Sequence, residues 1–397
     1  MSDESRPILR LQPGHDKRAS TGHPWVYSNE IAMDTAAKAL TPGTLVHLQT
    51  ANGKSLGVAT FNPHTLIAAR VLSRDPATRI DRDFFATKLE RAVAWRQKLY
   101  EAPYYRAIHA EADGIPGVVV DRFGDVLSCQ LNTAGMALLE NEFLEACQQV
   151  FSPRAIMLHN DTAARALEGL PTENRVAVGE ITGPIEIIEN GARFLIDPVG
   201  GQKTGWFYDH RENRLLASRF AKGGRVLDLY CFAGGFSITA ARAGAAQVLA
   251  IDSSEPALKL AREAAKLNDV ESAIRFAHGD VFGELARMHQ QGERFDLVIV
   301  DPPAFARTKK DLGPALRGYR KLARLSAGLV AKGGAMLIAS CSHQVEPDAF
   351  AEVVRRGMQD AERQGRILAS TGAAPDHPVH PFLPESAYLK AEMMVLD

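Results

Sequence analysis

Three short segments in the C-terminal half of this chain most constrain its fold: VLDLYCFAGGFS at 226–237, VIVDPPAF at 298–305 and IASCS at 338–342. Each is an apolar stretch with strand character that runs into glycine, proline or polar residues. In an open parallel sheet, the residues that follow such strands meet at one edge and form the ligand crevice. We therefore predict an α/β fold with a doubly wound, mostly parallel Rossmann-like sheet and a site at its strand ends.

A regular alternation of strands and helices begins near residue 191. It favours parallel strands joined by right-handed crossovers, with helices on both faces of the sheet. We expect 388–395 to add an edge strand. The predicted strands lie near 225–230, 247–251, 274–278, 295–301 and 335–341, and the predicted helices lie near 236–243, 255–268, 281–290, 313–331 and 347–363.

Two smaller regions precede this sheet, so the predicted domains are 1–75, 76–190 and 191–397. Short apolar segments punctuated by turns predict a small β-rich domain first. A mixed α/β domain follows, and it carries no recognisable chemistry, which suggests a spacer or a wall of a substrate groove. Its predicted parts are a helix over 80–100, a hairpin turning at 123–125, a helix over 137–150 and a strand over 155–159.

Composition is that of an ordinary globular protein and excludes several classes. The chain has 397 residues, 46% of them hydrophobic, with a formal net charge of −1. Its four cysteines form no CxxC pair and have no metal-ligand spacing, and we expect Cys129 and Cys147 to be core thiols. No apolar run is long enough for a membrane span, and the N-terminus does not resemble a signal peptide. We therefore expect a cytoplasmic protein with no metal and no membrane partner.

The first strand end predicts the cofactor. A dinucleotide fold needs GxGxxG, whereas here two adjacent glycines are followed by no third. Carboxylates end the next two strands: Asp252 is placed to accept ribose hydroxyls and Asp280 to accept an adenine amino group. This pattern favours S-adenosylmethionine (SAM) over NAD(P) or over a sheet without a cofactor. Further predicted cofactor residues in the turn are Asp228, Tyr230, Phe232 and Gly234.

The second and third strand ends predict the chemistry. Two prolines after Asp301 restrict the backbone, so that its carboxylate is held rigidly at the strand end. Cys341 ends the neighbouring strand, where a thiol can reach the same substrate. A pyrimidine C5 is too weakly nucleophilic to attack SAM until a thiolate adds at C6. Cys341 is thus the predicted nucleophile and Asp301 the predicted catalytic acid, whereas Cys231 is expected to be a small packing residue.

Basic residues in two places indicate a polyanionic substrate. Lys17, Arg18 and Trp25 interleave basic and aromatic side chains, which suits RNA binding but also describes a solvated turn beside a buried tryptophan. Basic residues also crowd the stretch after the di-proline, which is either an RNA-binding strip or an exposed helix face. Phe305 is a candidate stacking partner for a flipped base. The candidate RNA contacts in the strip are Arg307, Lys309, Lys310 and Arg317.

Taken in order, GQKTGWFYDHR (201–211) and the three segments above resemble the bacterial RlmI-like 23S rRNA cytosine-C5 methyltransferases. KRASTGHPWVYS (17–28) is similar to that family's PUA domain, and DGIPGVVVDRFG (113–124) to its central domain, so the resemblance covers essentially the whole chain. One departure is Ala304, where members often carry lysine. The resemblance implies a class I SAM methyltransferase domain with further cleft residues at Lys203, Tyr208, Asp209 and Arg211.

The sequence therefore predicts a SAM-dependent enzyme that forms 5-methylcytidine in 23S rRNA, acting on the RNA or a large-subunit particle as a monomer or homodimer. One alternative is an RNA N-methyltransferase acting on guanine N2 or adenine N6, which needs no thiol. Another is an RNA-binding assembly protein with a vestigial SAM fold. A small-molecule methyltransferase would leave the N-terminal domain and the basic strip without a purpose.

Overall fold

The structure is a computed structural model that describes residues 6–201, 205–306 and 308–397. The chain forms two compact units, each built from several stretches of sequence. The first comprises Met1–Gly183, Pro198–Trp206 and Asp376–Ser386, and the second comprises Pro184–Asp197, Phe207–Pro375 and Ala387–Asp397. The division into three domains at 1–75, 76–190 and 191–397 stays a prediction.

The first unit begins with a five-stranded sheet of order β1-β3-β4-β5-β2. Alternating residues such as Val46, Leu48 and Val58 are fully buried, which gives this small sheet its core. The predicted β-rich character is confirmed, although the sequence reading missed β4. The elements are β1 (Ile8–Arg10), α1 (Lys17–Ser20), β2 (Trp25–Tyr27), α2 (Thr35–Lys38), β3 (Thr44–Gln49), β4 (Ser55–Phe61) and β5 (Ile67–Ser73).

A second five-stranded sheet, of order β10-β9-β8-β7-β6, completes the first unit. The predicted hairpin is β7–β8, and Gly124 permits its tight turn with a φ of 67°. Cys129 and Cys147 are buried in this core, as predicted. The elements are α3 (Arg82–Arg96), β6 (Tyr104–His109), β7 (Val118–Phe123), β8 (Val126–Leu131), α4 (Ala134–Leu138), α5 (Glu140–Phe151), β9 (Ala155–Asn160), α6 (Ala163–Leu167) and β10 (Glu173–Gly179).

The second unit contains a seven-stranded sheet of order β15-β14-β13-β16-β17-β19-β18, preceded by the β11–β12 hairpin. Its elements are β11 (Ile185–Glu189), β12 (Ala192–Ile196), α7 (Arg211–Ser218), β13 (Arg225–Leu229), α8 (Gly235–Arg242), β14 (Gln247–Asp252), α9 (Glu255–Leu267), β15 (Ile274–His278), α10 (Val281–Gln290), β16 (Phe295–Val300), α11 (Leu312–Ala327), β17 (Val330–Ser340), α12 (Pro347–Asp360), β18 (Gly365–Thr371) and β19 (Lys390–Leu396).

The predicted alternation is confirmed in this sheet, because β13 to β17 are parallel neighbours joined by helices. The prediction that 388–395 forms an edge strand is wrong. β19 lies between β17 and β18 and pairs antiparallel with both. Its apolar residues Ala391, Met393, Met394 and Leu396 are accordingly buried on both faces. β18, which the sequence reading missed, is the true edge.

Within the described ranges, no helix is both long and apolar enough to cross a membrane.

Candidate active site

The carboxyl ends of β14, β13, β16 and β17 meet at one edge of the seven-stranded sheet. These strands are parallel neighbours in that order, with Leu229 opposite Ile251 and Val300 opposite Ile338. Because parallel strands align their ends, the turns that follow them share one edge. The predicted cofactor turn, the di-proline loop and the cysteine turn are therefore brought together, as the sequence reading expected.

The turn after β13 has a strained backbone. Tyr230 and Phe232 adopt the left-handed region with φ of 63° and 49°, and Gly234 follows with a φ of 81°. Each such non-glycine residue costs about 1–3 kcal/mol, and it persists only where its surroundings fix it. Here the Phe232 N–H donates to Oδ2 of Asp252 at 2.8 Å. A turn held open in this way is typical of a ligand site.

Asp252, at the end of β14, has both of its carboxylate oxygens oriented by backbone groups. Besides the Phe232 N–H, the Ser254 N–H donates to Oδ1 at 2.8 Å. Each carboxylate oxygen can accept a second hydrogen bond, so Asp252 retains capacity for ribose hydroxyls. Asp280 follows β15, is exposed, and caps α10 by accepting from the Gly283 N–H at 2.8 Å. Both carboxylates stand where a nucleoside could reach them.

Asp228 lies inside the sheet rather than at its edge. It has no exposed surface, and the Ser237 hydroxyl donates to its Oδ2 at 2.5 Å. Burial raises the pKa of this carboxyl to about 7. Its side chain therefore supports the start of α8 beneath the turn. Cys231, in the same turn, is buried, in line with its predicted packing role.

A buried histidine stands behind Asp301. His210 Nε2 lies 3.1 Å from Oδ1 of Asp301, and His210 itself is only 3% exposed. Asn213 Nδ2 lies 3.2 Å from His210 Nδ1, so both ring nitrogens have a partner. Burial lowers the pKa of His210, but the charge and hydrogen bond of Asp301 outweigh it, and the net shift is upward. Asp301 is thus held by a side chain as well as by its prolines.

His210 is not among the residues predicted from sequence, although it lies inside the 201–211 segment. A histidine in such a segment has no marker that separates a buried partner of a carboxylate from an ordinary polar residue. Its contact with Asp301 joins two segments that are distant in sequence and meet only in the folded chain.

The SerCysSer turn after β17 is fixed on both sides of Cys341. The Tyr319 hydroxyl lies 2.9 Å from the hydroxyl oxygens of both Ser340 and Ser342. Ser342 Oγ also accepts the Ala306 N–H at 3.3 Å, which ties the turn to the di-proline loop. Tyr319, from α11, is fully buried. Tyr319 therefore fixes the two serines of this turn, a role that was not predicted from the sequence.

Cys341 is the one cysteine of the four with partial exposure; the other three are buried. Its Sγ lies 4.0 Å from the carbonyl oxygen of Pro302, directly after Asp301. The structure therefore places a partly exposed thiol beside the di-proline loop that follows Asp301.

The remaining predicted cleft residues of this unit take part in buried packing. Asp209 Oδ2 accepts from the Tyr388 hydroxyl at 2.5 Å. The Arg211 guanidinium lies over the ring of Tyr208 and 3.6 Å from Glu189. These contacts hold the segment that carries His210. Lys203 lies outside the described residues.

The predicted RNA contacts of the second unit divide into packed and exposed groups. Phe305 is half-buried against Tyr319, with ring centroids 4.6 Å apart. Lys309, Lys310 and Arg317 are exposed. Arg307 lies outside the described residues. The exposed members form a cationic surface close in sequence to the di-proline loop.

The predicted RNA contacts of the first unit surround His23. Arg18 Nη2 lies 2.8 Å from His23 Nε2, and its guanidinium covers the Tyr27 ring at 4.6 Å. Trp25 Nε1 donates to Glu111 at 2.8 Å, so the indole is fixed against the second sheet of this unit. Lys17 is exposed.

The part of the chain that the structure describes contains no cluster of histidine, cysteine and acidic residues suited to a metal ion. The donor set at the sheet edge suits a nucleoside cofactor instead. A strained turn and the oriented Asp252 carboxylate provide backbone groups and a hydroxyl acceptor, which match the adenosine part of SAM.

Comparisons with known proteins identify the family. Residues 170–377 match the family model of S-adenosylmethionine-dependent methyltransferases, and residues 9–74 match a PUA-like domain. The chain is 37% identical over 387 residues to the ribosomal RNA large subunit methyltransferase I of Shewanella denitrificans, covering 96% of this chain and 97% of that protein. It is 36% identical over 396 residues to the protein of the same name from Klebsiella pneumoniae, covering 98% of each.

Two solved structures share the fold over nearly the whole chain. A Streptococcus mutans protein described as a SAM-dependent methyltransferase superposes with a TM-score of 0.82 at 19% identity, covering 98% of this chain and 100% of that one. A methyltransferase complexed with SAH gives a TM-score of 0.84 at 19% identity and the same coverage. The predicted family, fold class and cofactor are confirmed.

Proposed function

The chain belongs to the ribosomal RNA large subunit methyltransferase I family, and from this premise we propose that it methylates carbon 5 of a cytosine in 23S rRNA. One observation carries the choice of cytosine C5: a partly exposed cysteine, Cys341, lies beside the loop that fixes Asp301. Methylation of an exocyclic amine needs no thiol, whereas C5 needs one to become nucleophilic.

In the proposed reaction, the Cys341 thiolate adds to C6 of the cytosine. An S–C6 bond forms, and the electron pair of the C5–C6 double bond becomes available at C5. Asp301 assists by donating a proton or hydrogen bond to N3. When bound, SAM would supply the methyl group to C5 and leave as S-adenosylhomocysteine. Removal of the C5 proton then lets the S–C6 bond break, which returns the thiolate and leaves 5-methylcytosine.

His210 supports Asp301 in this scheme. With Nε2 3.1 Å from Oδ1, the imidazole orients the Asp301 carboxyl for its contact with N3. Once Asp301 has given its proton to N3, its carboxylate is a candidate acceptor for the C5 proton.

The exposed cations support an RNA substrate. Lys309, Lys310 and Arg317 offer contacts to phosphates next to the di-proline loop, and the PUA-like domain offers a second RNA surface around Lys17 and Arg18. A cytosine paired in a helix cannot reach Cys341, so the target base is flipped out or taken from a loop. The enzyme is proposed to act in the bacterial cytoplasm on 23S rRNA or a large-subunit particle, as a monomer or homodimer.

Methyl transfer from labelled SAM to unmodified bacterial 23S rRNA and large-subunit particles, followed by nucleoside mass spectrometry, tests the proposal. We expect 5-methylcytidine that is lost in Cys341→Ala and kept in Cys147→Ala, a buried thiol of the first unit. Label in a guanosine or adenosine that is indifferent to Cys341 would instead identify an N-methyltransferase. SAM binding without transfer to either RNA form would favour an assembly protein.

A further inference from the structure

A lysine is buried next to the cysteine turn. Lys390 begins β19, is 8% exposed, and lies opposite Ser340 of β17 in the antiparallel register. Its Nζ donates to the carbonyl oxygen of Ser342 at 2.7 Å. Lysine is among the residues least often buried, because removing an ammonium from water is costly unless it has a partner. One neutral carbonyl oxygen does not balance a buried ammonium charge, so we expect an anionic partner of Lys390.

The groups that interact with Lys390 identify that partner. Burial lowers the pKa of Lys390 below its ordinary value, and the charges of Cys341 and Glu346 offset only part of this effect. Cys341 lies between Ser340, which is opposite Lys390 in the register, and Ser342, whose carbonyl oxygen accepts from Nζ, so its ionisation is coupled to the lysine charge. Since such coupling is reciprocal, an ammonium stabilised by a thiolate also stabilises that thiolate.

The other titratable groups at the turn differ in character. Tyr319 reaches it from α11 as a neutral hydroxyl, and burial together with Cys341 raises its pKa. Glu346 precedes α12, is exposed, and its charge raises the pKa of Lys390. Asp301 adjoins Pro302, whose carbonyl oxygen lies 4.0 Å from Sγ. His343, two residues after Cys341, stacks on Tyr388 with ring centroids 5.1 Å apart. Lys390 is the ammonium among these groups.

We infer that Lys390 is a positioning residue that anchors the SerCysSer turn and stabilises the thiolate of Cys341. An ammonium has three N–H donors, and the bond to Ser342 uses one of them, so the charge can act on Sγ without releasing the turn. On ionisation the Sγ proton goes to water. The role of the thiolate in methyl transfer rests on the proposed function, whereas its ionisation can be measured without RNA or SAM.

The test is the pH profile of Cys341 alkylation by iodoacetamide in the full-length protein, followed by peptide mass spectrometry. The three buried cysteines serve as internal references for local unfolding. We expect Lys390→Met to slow alkylation at pH 7 about tenfold, because its profile shifts upward by about one pH unit, and Lys390→Arg to retain the wild-type profile. An unchanged profile in a folded Lys390→Met protein would overturn the inference.

Glu346→Gln provides a second test that does not disturb the buried turn. Removing this exposed carboxylate leaves the lysine charge less neutralised, so alkylation at pH 7 should become about twofold faster. Slower alkylation in this variant would count against the inference. The alkylation profile of Lys390→Met can shift as expected while the methyl label appears outside cytosine. That combination would refute the proposed reaction and leave the role of Lys390 intact.

Discussion

His210 Nε2 lies 3.1 Å from Oδ1 of Asp301, and this contact joins the segment preceding α7 to the loop after β16. The two residues are distant in sequence, yet both belong to the second unit. Di-proline geometry restricts the backbone of Asp301, while the buried imidazole restricts its side chain. In the proposed reaction, a carboxylate held in both ways lowers the cost of reaching the reactive geometry.

Replacing His210 by alanine should lower kcat for methyl transfer by roughly 10- to 100-fold, the usual effect of losing a group that orients a catalytic residue. SAM affinity should change little, because Asp252 and the strained turn are untouched. Steady-state kinetics with SAM titration measure both quantities. His289→Ala is the matched control, since it removes a histidine bonded to the Leu325 carbonyl in the same unit. Equal losses in the two variants would contradict a specific role for His210.

Tyr319→Phe should both destabilise the protein and slow methyl transfer. It removes the hydroxyl that bonds Ser340 and Ser342, leaving two buried serine hydroxyls short of a partner at a cost of about 1–3 kcal/mol. The turn that carries Cys341 is then no longer fixed by Tyr319. Urea unfolding and the transfer rate report the two effects. Tyr105→Phe, a buried tyrosine of the first unit whose hydroxyl accepts from Arg122, should leave the transfer rate unchanged.

The parts of this site that follow from local pattern were predictable from sequence. Asp301 and Cys341 were found because each comes directly after an apolar strand, and alternation with helices makes those strands parallel. Asp252 and Asp280 follow the same rule. In each case a short stretch of chain carries the whole signal.

The supporting residues were not predictable in that way. Tyr319 and Lys390 reach the cysteine turn only because α11 packs on the sheet and β19 inserts beside β17. The burial of Asp228 was likewise not predictable from the sequence. It belongs to the strand that leads to the turn, yet its side chain is wholly buried, which depends on strand register rather than on residue type.

Asp228→Asn should stabilise the protein at neutral pH. The folded-state pKa of Asp228 is raised from 3.8 to about 7, so the unfolded chain loses this proton first as pH rises. The contribution of the protonated carboxyl to the free energy of unfolding is therefore complete below about pH 4 and is lost by about pH 7. This contribution is at most about 4 kcal/mol. Asparagine keeps an acceptor for Ser237 and should flatten this decline.

Urea unfolding from pH 4 to pH 8 measures that difference. Asp296→Asn, which changes an exposed carboxylate on β16, is the matched control and should retain the wild-type pH dependence. If the free energy of unfolding of Asp228→Asn fell as steeply with pH as that of the wild type, this carboxyl would not titrate between pH 4 and pH 8.

Reversing charge at Lys309 and Lys310 should weaken RNA binding in a salt-dependent manner. Both side chains are exposed beside the di-proline loop, so their contribution to binding comes from phosphate contacts and released counterions. The double variant K309E/K310E should flatten the slope of log affinity against log salt by about 1–2 and leave SAM affinity unchanged. K259E/K266E carries the same charge change on exposed residues of α9 and should keep the wild-type slope. Filter binding of rRNA at several salt concentrations measures the slopes, and equal slopes in the two double variants would place the RNA path elsewhere.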